Sequence, residues 1–100
     1  MDKEKIQEEI NEFKKHLVLN HSLREITIKS HIDNIKRMLK IIQTTDPEKE
    51  VVVEYVFNFK GNGSSYSHIS NNISSIEKYM DFKKKYHKKV TKPVFLNFTL

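Results

Sequence analysis

One pattern occurs twice in this chain, 41 residues apart, and it restricts the fold to amphipathic helices. Ile28, Ile32, Ile35, Met38 and Leu39 align with Ile69, Ile73, Ile76, Tyr79 and Met80. Apolar residues three and four apart fall on one helical face, so each copy predicts a helix with one apolar stripe. A polar approach precedes each stripe. It is Ser22-Leu23-Arg24-Glu25-Ile26-Thr27 in the first copy and Gly63-Ser64-Ser65-Tyr66-Ser67-His68 in the second.

Two further helices accompany the repeat. Residues 2–19 place Ile6, Ile10, Phe13 and Leu17 on one face, with acidic residues early and Lys14, Lys15 and His16 late, as the helix dipole favours. The second helix, over 25–43, carries the stripe Ile28, Ile32, Ile35, Leu39 and Ile42, with Met38 and Ile41 beside it and Ser22 or Thr27 as its cap. Asp46-Pro47-Glu48-Lys49 reads as the start of a third helix running to about Phe59, with a capping Asp and Pro at the first helical position. Val51-Val52-Val53 favours strand locally, but Val52, Tyr55, Val56 and Phe59 keep the helical spacing. Both glycines of the chain lie in Gly61-Asn62-Gly63-Ser64-Ser65, a loop signal. A fourth helix over 66–86 is predicted to bury Tyr66, Ile69, Ile73, Ile76 and Met80, with Phe82 alongside. Pro93 is expected to stop any helix, and Val94-Phe95-Leu96-Asn97-Phe98 reads as the first piece of a further segment. Four amphipathic helices joined by short loops make an all-α helical bundle.

Length and composition bound the rest. One hundred residues suit one domain, with about 60–70% of the unfolded surface buried. No run of 18 apolar residues is present, and Met1-Asp2-Lys3-Glu4-Lys5 has no apolar stretch behind it, so neither a spanning helix nor a signal peptide is expected. There is no cysteine, which removes thiolate chemistry and fits a cytoplasmic location. The net charge of +5 is uneven: residues 21–45 carry 5 basic and 2 acidic groups, and residues 83–100 carry 6 basic and none acidic. Such asymmetry points to an acidic partner.

Nothing in the chain reads as catalytic. His16, His21, His31, His68 and His87 include no pair four apart and no His-Glu-x-x-His string, so they read as surface or boundary residues and no metal ligands are expected. Glu8, Glu9 and Glu12 read as a solvated face. The serines at 64, 65, 67, 70, 74 and 75 lack a base, and Gly61-Asn62-Gly63 lacks the Lys-Ser/Thr of a phosphate loop. No cofactor is expected. The basic surface is the stronger lead. Lys29, Lys36, Arg37 and Lys40 lie off the Ile stripe, while the second copy offers Ser67, His68, Asn71 and Asn72. Lysines supply attraction to phosphates, and short amides and hydroxyls approach a backbone or a base edge. Lys83, Lys84 and Lys85 open a basic run that reads either as a phosphate-tracking segment or as a solvated linker.

These residues carry a family resemblance. Ser22-Leu23-Arg24-Glu25-Ile26-Thr27-Ile28-Lys29-Ser30-His31, with Ile35 and Met38-Leu39, resembles the L-S-x-x-T-I-x-x-Y helix start of the core-binding domain of tyrosine recombinases, the phage-integrase family. Phe13-Lys14-Lys15-His16-Leu17 is similar to that domain's first helix, Thr45-Asp46-Pro47-Glu48 to the start of its third, and Ser64 through Ile73, with Ile76 and Tyr79 to Phe82, to its fourth. The resemblance implies a four-helix SAM-like bundle over residues 1–86. Residues 87–100 would be a basic linker and the start of a catalytic domain. It further implies one half of a clamp around double-stranded DNA, with Thr27, Lys29, Ser30, Lys36, Arg37, Lys40, Ser67, His68, Asn71, Asn72, Lys83, Lys84 and Lys85 towards the nucleic acid. The implied partners are DNA, a catalytic domain and other recombinase protomers, with no membrane. The catalytic residues of the family belong to that other domain, so this chain is expected to be no enzyme. The alternative from composition is a protein-interaction bundle that docks a partner through Phe95-Leu96-Asn97-Phe98.

Overall fold

A computed structural model describes the backbone of residues 3–61, 63 and 65–98 and the side chains of residues 3–58, 63 and 65–84. Four helices follow one another: α1 (Lys3–Asn20), α2 (Glu25–Ile42), α3 (Lys49–Gly61) and α4 (Tyr66–Phe98). No strand occurs among the described residues, so the chain is an all-α four-helix bundle. The Val51-Val52-Val53 run is helical. Its local strand preference yields to the burial of Val52 and Tyr55 on the inner face of α3.

The core gathers the predicted stripes. Ile6, Ile10, Phe13 and Leu17 of α1 are buried against Ile35, Met38 and Leu39 of α2 and Ile76, Tyr79 and Phe82 of α4. Ile28, Ile32, Ile42, Val56 and Met80 pack around them, partly buried. Phe13 is the aromatic centre. It meets Tyr79 edge to face at 5.4 Å and Phe82 at 5.7 Å, arrangements that rings favour through their quadrupoles. α2 touches each of the other three helices and forms its most extensive contact with α4. The two copies of the repeat therefore face one another.

Several local expectations are corrected. Neither Ser22 nor Thr27 caps α2: the cap position is Arg24, which makes no side-chain cap bond. At the other end Gln43 adopts the left-handed conformation, and its N–H donates to Leu39 O at 2.9 Å, a helix stop more often supplied by glycine. α3 begins at Lys49, two residues past the expected Pro47, and Val52 N–H donates to Glu48 O. Asp46 is drawn instead to Lys83. α4 is capped by Ser65, whose Oγ accepts His68 N–H at 3.2 Å.

α4 buries only part of the predicted stripe: Ile76 and Phe82 are buried and Met80 is partly buried. Tyr66 is 86% exposed and Ile73 is also exposed, whereas Asn72 and Ser75 turn inward. Tyr66 sits at the first residue of α4; of the inward polar side chains, Asn72 bonds back to His68 O of its own helix and Ser75 meets His31 and Asn34 of α2. α4 also continues through residue 86 and through Pro93 to Phe98. A proline inside a helix removes one backbone hydrogen bond at a cost of about 3 kcal/mol, and here it does not end the helix. The side chains of Phe59 and of residues 85–98 lie outside the described residues.

Candidate nucleic-acid interface

Part of the seam between α2 and α4 is polar, built from His31, Asn34 and Ser75. Ser75 is fully buried and sits at a three-way junction. Its hydroxyl donates to Asn71 O at 3.0 Å, and Asn34 Nδ2 donates to Ser75 Oγ at 2.9 Å. His31 Nδ1 lies 2.7 Å from the same oxygen. With the hydroxyl proton directed to Asn71, Ser75 Oγ accepts from His31 as well, which assigns the proton of neutral His31 to Nδ1. Burial holds the His31 pKa below its ordinary value, and the charge of Lys78 and a smaller effect of His21 lower it further. The residues meeting here are equivalents in the repeat. Position 34 corresponds to 75, and 31 corresponds to the buried Asn72.

A surface groove opens over this junction, lined by Leu23, Ile26, Thr27, Ser30, His31, Asn71, Ser74 and Lys78. It unites three expected site residues, Thr27, Ser30 and Asn71. Lys78 supplies a cation at the rim, its Nζ donating to Ser74 Oγ at 3.2 Å. Lys78 was not among the expected residues. The repeat contained the signal, because Lys78 occupies the place of Arg37 in the second copy. Only the neighbouring line of Lys29, Asp33, Lys36 and Lys40 invited comparison, and its counterpart Ser70, Ser74, Glu77 and Asp81 is not basic.

The other expected residues divide among different surfaces. Lys29 is exposed, with its Nζ 3.9 Å from Asp33, a solvated pair of small energetic weight. Lys36 and Lys40 line a second groove with Lys3, Glu4, Ile6, Gln7 and Gln43, on the α1 side of α2. Arg37 is exposed and near Tyr55, whose phenol is pushed above its ordinary pKa by burial, with the Arg37 charge acting in the opposite direction. Ser67 and His68 are exposed in the first turn of α4, and Lys84 is exposed further along it. The side chain of Lys85 lies outside the described residues.

Two expected contact residues turn inward. Asn72 is 2% exposed and its amide donates to His68 O at 2.9 Å, so it braces the helix rather than reaching a groove. Lys83 is partly buried, in an ion-pair cluster. Its Nζ lies 2.7 Å from Glu9 Oε2 and 3.2 Å from Asp46 Oδ1, with the Lys83 and Glu9 side chains 12% and 14% exposed. The same Glu9 oxygen accepts the Tyr79 hydroxyl at 2.6 Å, and Thr45 O lies 3.0 Å from that hydroxyl. Burial, reinforced by Glu9 and then Asp46, pushes the Tyr79 phenol far above its ordinary pKa. Glu9 is therefore no part of a solvated face. Its charge ties α1 to α4 and to the α2–α3 connection.

Two histidines also depart from expectation. His16 and His31 are buried, and His16 packs on the Phe82 ring at 5.4 Å. The fold also gathers His16, His21 and Asp81, with one ligand atom of each within 4.8 Å of the others. Spacing along the chain gave no sign of this group, because Asp81 arrives from α4.

The fold and the paired helices define an all-α module built on a duplicated helix pattern. The family model for the N-terminal SAM-like domain of phage integrases matches residues 10–87, and the chain belongs to that family. No curated protein and no solved structure matches it. Among the described residues no helix is long and apolar enough to cross a membrane.

Proposed function

We propose that this chain is the DNA-binding domain of a site-specific tyrosine recombinase, gripping duplex DNA along the α2–α4 seam while a separate catalytic domain exchanges strands. The observation that carries the reading is the convergence of Thr27, Ser30 and Asn71 with Ser74 and Lys78 in one groove. Lys29, Arg37 and Lys84 are exposed on the same two helices. Small hydroxyls and an amide permit close approach to a sugar–phosphate backbone, and the cations supply attraction. Membership of the integrase family supports the same reading. The chain holds only two arginines, Arg24 and Arg37, so bidentate guanine contacts are few. Binding should therefore depend on phosphates more than on base sequence.

If Lys29, Arg37, Lys78 and Lys84 each neutralise one phosphate, log affinity falls with log salt at a slope of about −3.6. Between 50 and 200 mM salt that is a loss of about 10²-fold. Titration of a labelled duplex at both salt concentrations tests this. Absence of binding at about 50 mM, where the phosphate term is strong, overturns the reading. The alternative, a protein-docking bundle, rests on Phe95-Leu96-Asn97-Phe98, whose side chains lie outside the described residues.

A further inference from the structure

We propose that His16, His21 and Asp81 form a binding site for a divalent transition ion of the zinc class, joining the end of α1 and the α1–α2 connection to α4. The argument is independent of DNA binding. One ligand atom from each residue lies within 4.8 Å of the other two. Ligands about 2.0–2.2 Å from a tetrahedral zinc are about 3.3 Å apart. His16 Nε2 and Asp81 Oδ2 are already 3.6 Å apart, longer than a hydrogen bond and close to that edge.

His21 supports the assignment independently. Its Nε2 is shielded from solvent and makes no hydrogen bond among the described residues. Its ring stands edge-on to His16, with centroids 5.6 Å apart. An imidazole nitrogen withdrawn from water and left without a hydrogen bond costs free energy, and a metal bond removes that cost. The donor set selects the ion. Two imidazoles and one carboxylate suit zinc, nickel, copper or iron, while magnesium and calcium favour oxygen. A water completes four-coordination.

Ligation makes a demand on the next layer of residues. Asn20 Nδ2 lies 3.2 Å from His16 Nδ1. Binding through Nε2 leaves the imidazole proton on Nδ1, so the Asn20 amide turns to present its oxygen and gives up the bond its Nδ2 donates to His16 O at 3.1 Å. Asp81 is half-exposed and His21 partly exposed, so both adjust without disturbing the core. The ion fixes the connection that leads into Leu23, Ile26 and Thr27, one wall of the α2–α4 groove.

Untagged full-length chain is titrated with Co²⁺ and with Zn²⁺. Co²⁺ should develop the visible absorption of a tetrahedral N/O site. Zn²⁺ at about 100 times its dissociation constant should raise Tm by about 10 °C. His21→Asn and Asp81→Asn should each weaken binding at least about tenfold while remaining folded, because both residues are only partly buried and lie outside the apolar core. His68→Asn should bind as the parent chain does. The proposal is overturned if millimolar Zn²⁺ neither shifts Tm nor competes with Co²⁺. Parent affinity in both ligand variants, or an equal Tm rise with Mg²⁺, overturns it as well.

Discussion

Tyr79 donates to Glu9 across 70 residues of chain, its hydroxyl 2.6 Å from Oε2, and Lys83 approaches the same oxygen at 2.7 Å. One carboxylate thus holds two groups from successive turns of α4. Removing the cation leaves Glu9 charged and largely shielded from water. Lys83→Met should cost about 3 kcal/mol. Tyr79→Phe should cost about 1.5–2 kcal/mol, the weight of a hydrogen bond to a charged group. The double variant should lose less than the two costs added, because both partners act on one oxygen. Urea unfolding with an unchanged m-value measures all three.

Phe13 is fully buried between Tyr79 and Phe82. Phe13→Ala should destabilise by about 3–5 kcal/mol, a large part of the stability of a domain this size. Phe13→Leu, which keeps most of the volume, should lose markedly less. Thermal unfolding distinguishes the two.

Stability should fall on the acidic side because of His31. Its folded pKa is lowered, so below the ordinary value of about 6.5 the unfolded chain binds the proton more readily. The contribution of neutral His31 is fully present above that pH and is lost as pH falls towards the folded value. Urea midpoints between pH 7.5 and 5 should show the decline. His31→Gln should flatten it.

Tyr79 produces the opposite limb. Its raised pKa keeps the phenol protonated in the fold after the unfolded chain ionises near pH 10. Its contribution is present below that pH and lost above it. Tyr79→Phe should remove this part of the alkaline decline, measured by unfolding between pH 8 and 11.

Lys78 and Lys83 separate a groove cation from a structural one. Lys78→Gln should reduce the salt slope of duplex binding by about 0.9. Lys83→Met should leave the slope unchanged, since its charge is already matched by Glu9 and Asp46. Fluorescence anisotropy across a salt series reads both.

The stripe of α1 was legible because all of its members are apolar and their spacing follows one helical face. Ile6, Ile10, Phe13 and Leu17 are all buried as their spacing predicts. α4 was harder, because its inner face includes Asn72, Ser75 and Lys83. Periodicity counts such residues as outward. Their partners lie on the same helix 4 residues back, 44 and 41 residues away for Ser75, and 74 away for Lys83. Within the candidate interface, Ser30 and Asn71 are equivalents in the repeat, 41 residues apart, and Thr27 lies at the same helix start as Ser30. Lys36 and Lys40 were separated from them because helical geometry carries that line around to α1. The grouping of His16, His21 and Asp81 was invisible in sequence, because it depends on how α4 crosses the end of α1.

The Ser75 junction has a kinetic and thermodynamic corollary. Sliding α4 along α2 by one turn would separate Ser75 from His31 and Asn34 together, stripping buried His31 of its partner and leaving Ser75 only its bond to Asn71 O. The two walls of the groove therefore keep one register in the free protein. A ligand entering between them meets a preorganised surface and forfeits little conformational entropy on binding. Amide hydrogens flanking Ser75 should accordingly be among the slowest to exchange, with or without nucleic acid.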